Sequence, residues 1–299
     1  MVQTRIIYIT GMKPKPDPTL HRRALVRVLG VSLGRIAPAA ADWLTARPEN
    51  FMLVSWTSLL YGIERDIELD RPGIAYLLEQ PLPSTADRRA ADAAGLAARR
   101  AWHLIGDSFP VLSRFMASAA LRDTLVDVRR YLDDIDGVAV RIRSLLRDAL
   151  ESAFAAGDRV LLIAHSLGSV IAYDTLWQLS RVARNPNRVG LLMTLGSPLA
   201  TRFVRLRLQG ASLAGPERYP ANIEHWVNVA ARGELVALHR RIRPFFADMQ
   251  RQGLVRSIED LTIYNHYRGD RGFNPHKSYG YLNHAAVAGR ICRWLGYSS

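Results

Sequence analysis

The sequence holds one cysteine, Cys292, in 299 residues. An intramolecular disulfide is therefore impossible, and a cysteine-rich metal site is excluded. Long apolar runs are missing as well. The best candidate, 24–44, is broken by Arg27, Arg35 and Asp42 and falls short of the roughly 18 uncharged residues a membrane span needs. Met1-Val2-Gln3-Thr4-Arg5 runs straight into a strand-like segment and leaves no room for a secretory leader, so the expected location is the cytoplasm. No metal-ligand cluster, phosphate-cradling glycine loop or dinucleotide fingerprint is visible, and neither a metal nor a cofactor is expected. Lysine is scarce too: Lys13, Lys15 and Lys277 stand beside 37 arginines.

What is present is globular composition, 48% apolar and 22% charged, with a net charge of +13. The arginines are spread along the chain, often beside acids as in Arg122-Asp123 and Arg147-Asp148, rather than clustered with aromatics. That pattern reads as surface decoration, and no nucleic acid partner is expected. Contact with an anionic membrane or an acidic carrier is the functional role the charge leaves open.

Ile6-Ile7-Tyr8-Ile9-Thr10 is a β-branched and aromatic run that reads as a buried strand ending at Gly11. Prolines at 14, 16 and 18 favour an extended loop, with a helix expected from about Leu20. Further strands are expected over 51–56, 159–164, 189–195, 225–230 and 261–264, with helices over 138–154, 168–182 and 282–295. Strands alternating with helices predict an α/β fold, a mainly parallel sheet covered on both faces. Nothing resembles a linker, so the chain reads as one domain, 1–299, with a mostly helical insertion, a lid or cap, over 57–130. Trp102, Phe109 and Phe115 in that insertion are candidates to line an apolar acyl pocket, the alternative being ordinary core between cap helices.

Ala164-His165-Ser166-Leu167-Gly168 has a buried strand before it, a helix after it, and a small residue two positions to either side of the serine. Those are the requirements of a nucleophile elbow, where bulkier neighbours would collide with the strand and helix. The Leu167 amide then points at a developing oxyanion, aided by the helix N-terminus. The bland alternative is a serine acting as an ordinary helix cap.

With the elbow, Ser169-Val170-Ile171-Ala172-Tyr173-Asp174 after it, Gly196-Ser197-Pro198 and the loop Pro275-His276-Lys277-Ser278-Tyr279, the chain resembles the serine esterase and lipase-like branch of the α/β-hydrolase superfamily. The resemblance covers most of the chain and is weak over 57–130. It implies the α/β-hydrolase fold and a serine nucleophile followed in sequence by an acid and a histidine. His276 matches the pattern, with His266 as its rival; His225, His239 and His284 are poorly placed. Glu234, just past a strand, is the expected acid where the family more often has aspartate, with Asp260 and Asp270 as rivals. The resemblance puts the second oxyanion amide at Met12, after Gly11, where Thr10 replaces a common histidine. His165 reads as a packing and hydrogen-bonding residue and Asp174 as structural. The expected activity is hydrolysis of a small-molecule or lipid-like carboxylic ester through an acyl-enzyme on Ser166. A thioesterase, amidase or acyltransferase would use the same triad, and a non-catalytic binding module the same fold.

Overall fold

Ile6 and Tyr8 pack into one apolar core, while their alternate neighbours Ile7 and Ile9 pack into another. Side chains alternate along a strand, so a segment apolar at every position must be buried on both faces. The computed structural model describes residues 3–105, 119–234, 240–270 and 272–297, with side chains described except over 96–105 and 119–125. Six strands, β1 (Thr4–Ile9), β2 (Phe51–Val54), β3 (Arg159–His165), β4 (Val189–Leu195), β5 (Ile223–Ala231) and β6 (Ser257–Ile263), form one sheet in the order β2-β1-β3-β4-β5-β6. Every neighbouring pair is parallel. Helices Pro18–Gly34, Pro38–Ala46 and Ala285–Leu295 cover the face that carries Ile6 and Tyr8. Helices Val138–Ala155, Leu167–Trp177 and Arg243–Arg251 cover the face that carries Ile7 and Ile9. The architecture is α/β.

Several expected boundaries shift for local reasons. The first helix starts at Pro18 rather than Leu20, because Asp17 caps it by accepting from the Thr19 and Leu20 amides. A proline at the first helical position has no hydrogen bond to lose. The helix expected over 168–182 is α-helical only to Trp177 and continues as a π-turn, Gln178–Val182. The closing helix, expected from Leu282, starts at Ala285 with His284 capping it through Nδ1, and a short helix, Ser278–Leu282, precedes it where a loop is expected. The strand expected near 261–264 runs from Ser257 to Ile263.

Between β2 and the helix Val138–Ala155 lie the helices Ser58–Tyr61, Arg71–Glu79, Thr85–Ile105 and Ala119–Leu132. Of the apolar residues expected to line a pocket there, Phe109 and Phe115 lie outside the described residues, and Trp102 outside the described side chains. Among the described residues, no helix is long and apolar enough to cross a membrane.

The strand order fixes where a site can form. β1 and β3 are neighbours, yet the chain leaves β1 toward one face of the sheet and β3 toward the other. Diverging loops open a crevice at the carboxyl ends of the two strands, the usual ligand position in open parallel sheets. The loop beginning at Gly11 and the turn at Ser166 form its two sides.

Candidate active site

Ser166 sits between β3 and the helix Leu167–Trp177 with φ +54° and ψ −127°. A non-glycine residue held at positive φ is strained and persists only where its surroundings enforce it. Here Ser166 N–H donates to the Leu195 carbonyl on β4 at 2.8 Å, and Ser169 Oγ donates to the Ser166 carbonyl at 2.6 Å. Ser169 is itself bonded to Ser197 Oγ at 2.7 Å. The helix also presses against the first loop: a Cβ on Gly168 would lie 2.5 Å from the Thr10 carbonyl oxygen. Glycine at 168 is thus set by close approach.

The Ser166 side chain makes no capping bond to its helix. Its Oγ lies 2.9 Å from Nε2 of His276, and Nδ1 of the same ring lies 2.7 Å from Glu234 Oε1. A carboxylate only accepts, which puts the ring hydrogen on Nδ1 and leaves Nε2 to accept the serine hydroxyl. The Glu234 side chain is fully buried, whereas His276 remains partly open to solvent. Glu234 Oε2 accepts from the Ala231 amide at 3.2 Å, the last residue of β5, which fixes the carboxylate from behind. Burial, reinforced by the neighbouring Glu234, holds the Tyr281 phenol well above its usual range, so it stays protonated beside the acid. Gly196, at φ +56°, forms the wall of this pair: a Cβ there would meet Glu234 Oε1 at 2.8 Å and His276 Nδ1 at 2.9 Å.

The histidine loop is shaped by polar side chains both within it and distant in sequence. Asn274 Oδ1 accepts from the His276 amide at 3.1 Å, and Asn265 Nδ2 donates to the Lys277 carbonyl at 2.8 Å. His165 Nε2 donates to the His276 carbonyl at 2.8 Å. Burial, with His276 and Lys15 nearby, drives the His165 pKa well below its usual value, so the ring is a neutral donor.

Leu167 is the first residue of its helix, so its N–H has no partner within the helix. Met12 follows Gly11, and a Cβ on Gly11 would come within 2.7 Å of Ser166 Cβ, which brings this loop directly against the serine. Among the described residues, neither the Leu167 nor the Met12 N–H donates a hydrogen bond within the protein. Both amides therefore flank Ser166 with their donors available.

The rivals go elsewhere. His266 Nε2 bonds the Gln80 carbonyl at 2.7 Å, and His225 Nδ1 bonds Ser257 Oγ at 2.8 Å. Asp260 is occupied by Asn228 Nδ2 and the Ile242 and Arg243 amides, and Asp270 pairs with Arg65. Arg232, a possible partner of Glu234, pairs with Asp92 instead. His239 lies outside the described residues. Asp174 is a buried acceptor for Tyr131 Oη at 3.0 Å and the Gln209 amide at 2.9 Å.

The residues that sequence reasoning missed are Tyr281, Asn265, Asn274 and the Ser169–Ser197 pair. Only Ser197, beside a glycine and a proline at a strand end, carried a local signal. Chemically, the arrangement can deprotonate the Ser166 hydroxyl through His276 while a buried carboxylate orients the imidazole. Among the described residues, no group of three or more His, Cys, Asp or Glu side chains could hold a metal ion. Comparisons with models of known protein families, with curated proteins and with solved structures found no match.

Proposed function

We propose that the chain is a serine hydrolase of the α/β-hydrolase type that cleaves a carboxylic ester through an acyl-enzyme on Ser166. The observation that carries this reading is the hydrogen-bonded relay from Ser166 Oγ through His276 to buried Glu234, built on a serine at positive φ. A structural serine has no need of a strained backbone and a general base 2.9 Å away.

In the first half-reaction Ser166 Oγ attacks the ester carbonyl carbon while His276 Nε2 takes its proton. The developing oxyanion accepts from the Leu167 and Met12 amides, two preorganised donors. Collapse breaks the bond to the alcohol, which leaves with the proton that His276 returns. Water then repeats the sequence on the acyl-enzyme and releases the acid. Glu234 keeps the imidazole in the productive tautomer and stabilises its protonated form. The described helices within 57–130 serve as a cap over the site. They already hold the first loop, since Asp127 accepts from Lys13 Nζ at 2.9 Å and Tyr61 Oη accepts from the Lys13 amide at 3.2 Å.

A panel of aryl esters of increasing acyl length tests the reading. Hydrolysis with a burst of released phenol is expected, at chain lengths beyond acetyl if the pocket is apolar. Absence of turnover on every ester, or equal turnover by Ser166→Ala, would contradict it.

A further inference from the structure

The chain has three lysines, and all of them come to the loops beside Ser166. Lys13 and Lys15 lie on the loop after β1, and Lys277 directly follows His276. Two have counter-charges: Lys13 Nζ meets Asp127 at 2.9 Å, and Lys277 Nζ meets both oxygens of Asp70 at 2.6 and 2.8 Å.

Lys15 does not. Its ammonium donates to the Met12 carbonyl at 2.6 Å, and no carboxylate of the described residues pairs with it. The groups around it are mostly cationic: Lys13 on its own loop, Arg65 from the helical stretch, and Lys277 from the histidine loop. Neutral His21 and His165 complete the surroundings from the helix Pro18–Gly34 and from β3. The carboxylate that acts on it most strongly is Asp70, which is 1% exposed and already shared by Lys277, by Arg65 at 3.5 Å and by Tyr267 Oη at 3.3 Å. Asp270 pairs with Arg65 at 3.2 Å on the exposed side.

The charge is thus uncompensated where it is partly withdrawn from water, and that costs free energy unless a partner arrives. Burial and the neighbouring cations lower the Lys15 pKa to about 7. Independently, His21 Nδ1, fully enclosed in this corner, has no hydrogen-bond partner, and the fully buried Tyr279 hydroxyl has only Asp70 to turn to. The Tyr279 ring lies 5.3 Å beneath Lys277 Nζ and 6.1 Å from the His21 ring.

We propose that this corner is a subsite for an anionic group of the substrate, a carboxylate or a phosphate, with Lys15 as its principal ligand. Its place in catalysis rests on the hydrolase reading; anion binding itself does not. A bound anion favours protonated Lys15, so binding takes up a proton once the free ammonium begins to lose its own. Affinity then falls as pH rises above about 7, by up to about tenfold per unit.

The test is calorimetric titration of the full chain with adipate and with inorganic phosphate, in wild type and Lys15→Met, beside hydrolysis of a monoaryl adipate and an aryl hexanoate. Adipate stays doubly ionised from about pH 7 to about pH 8.5 and isolates the lysine. Expected is adipate binding that weakens about tenfold over that range with proton uptake, and a loss of at least about tenfold in Lys15→Met. The monoaryl adipate is then preferred over the hexanoate, and Lys15→Met loses that preference. Binding of phosphate with no binding of adipate assigns the subsite to a phosphate ester. Binding of neither anion, or adipate affinity that does not change with pH in the wild type, overturns the proposal, and the wild-type series decides even if the variant fails to fold. Ester turnover without anion binding leaves the hydrolase standing and removes the subsite. Anion binding with no turnover of either ester does the reverse.

Discussion

His165 Nε2 donates to the backbone carbonyl of His276 at 2.8 Å, so the residue before the candidate nucleophile holds the loop that carries its base. The bond needs a neutral imidazole, and burial keeps His165 neutral. Replacing it with phenylalanine removes the donor and keeps most of the ring volume. His165→Phe is expected to lower kcat about tenfold with little change in KM, the worth of one positioning hydrogen bond. Steady-state kinetics on an aryl ester checks this; an unchanged kcat would make His165 a packing residue alone.

In the proposed relay Glu234 acts through charge and through orientation of the ring. Glu234→Gln keeps the side-chain volume but allows the amide to favour the wrong imidazole tautomer. A fall in kcat of about a thousandfold is expected, with Tm nearly unchanged. Retained activity would shift the role of acid to another carboxylate.

Gly196 leaves no room for a methyl group between Glu234 and His276. Gly196→Ala adds strain at positive φ and pushes the pair apart, costing about 1–3 kcal/mol in stability. Activity should fall much further than stability, by at least about a hundredfold. Denaturant unfolding and ester kinetics on the same preparation separate the two effects.

Asp174 gives a pH signature in folding. Burial raises its carboxyl to about 6, despite the opposing bonds from the Gln209 amide and Tyr131. The native state therefore binds this proton more tightly than the unfolded chain. Its contribution makes stability rise as pH falls through about 6 and level off below about 4. His21, lowered to about 3 by burial, works the opposite way between about 6.5 and 3. Subtracting Asp174→Asn from wild type cancels the histidine. Between about pH 7 and about pH 5 the difference should grow by about 1.4 kcal/mol in favour of the acid-side wild type, measured by denaturant unfolding. A difference that does not change with pH would mean that Asp174 is ionised throughout.

What could be read from the sequence was what is local. Ile6 to Ile9, apolar at every position, announced a strand buried on both faces, and the small residues at 164 and 168 announced a tight strand-to-helix turn. Ser166, Glu234 and His276 lie at strand ends and loops in the order the resemblance implies, and the structure brings these three side chains together. The strand order and the partners of the loops were not legible. Asn265 reaching Lys277, Asp70 reaching Lys277 and Tyr281 meeting the end of β5 depend on contacts between segments far apart in the chain. Local pattern carries no signal for them. The start of the closing helix at Ala285 rather than Leu282 was not legible, because the apolar spacing of a helix already takes in Leu282 and a capping histidine is a rare choice.

The central claim is that Ser166 is an activated nucleophile. Labelling with a fluorophosphonate probe, with the adduct located by peptide mass spectrometry, reads that property without knowledge of the substrate. One adduct is expected, on Ser166, in the wild type and none in Ser166→Ala. Labelling of Ser166→Ala at the wild-type level, or a folded wild type that stays unlabelled, would contradict it.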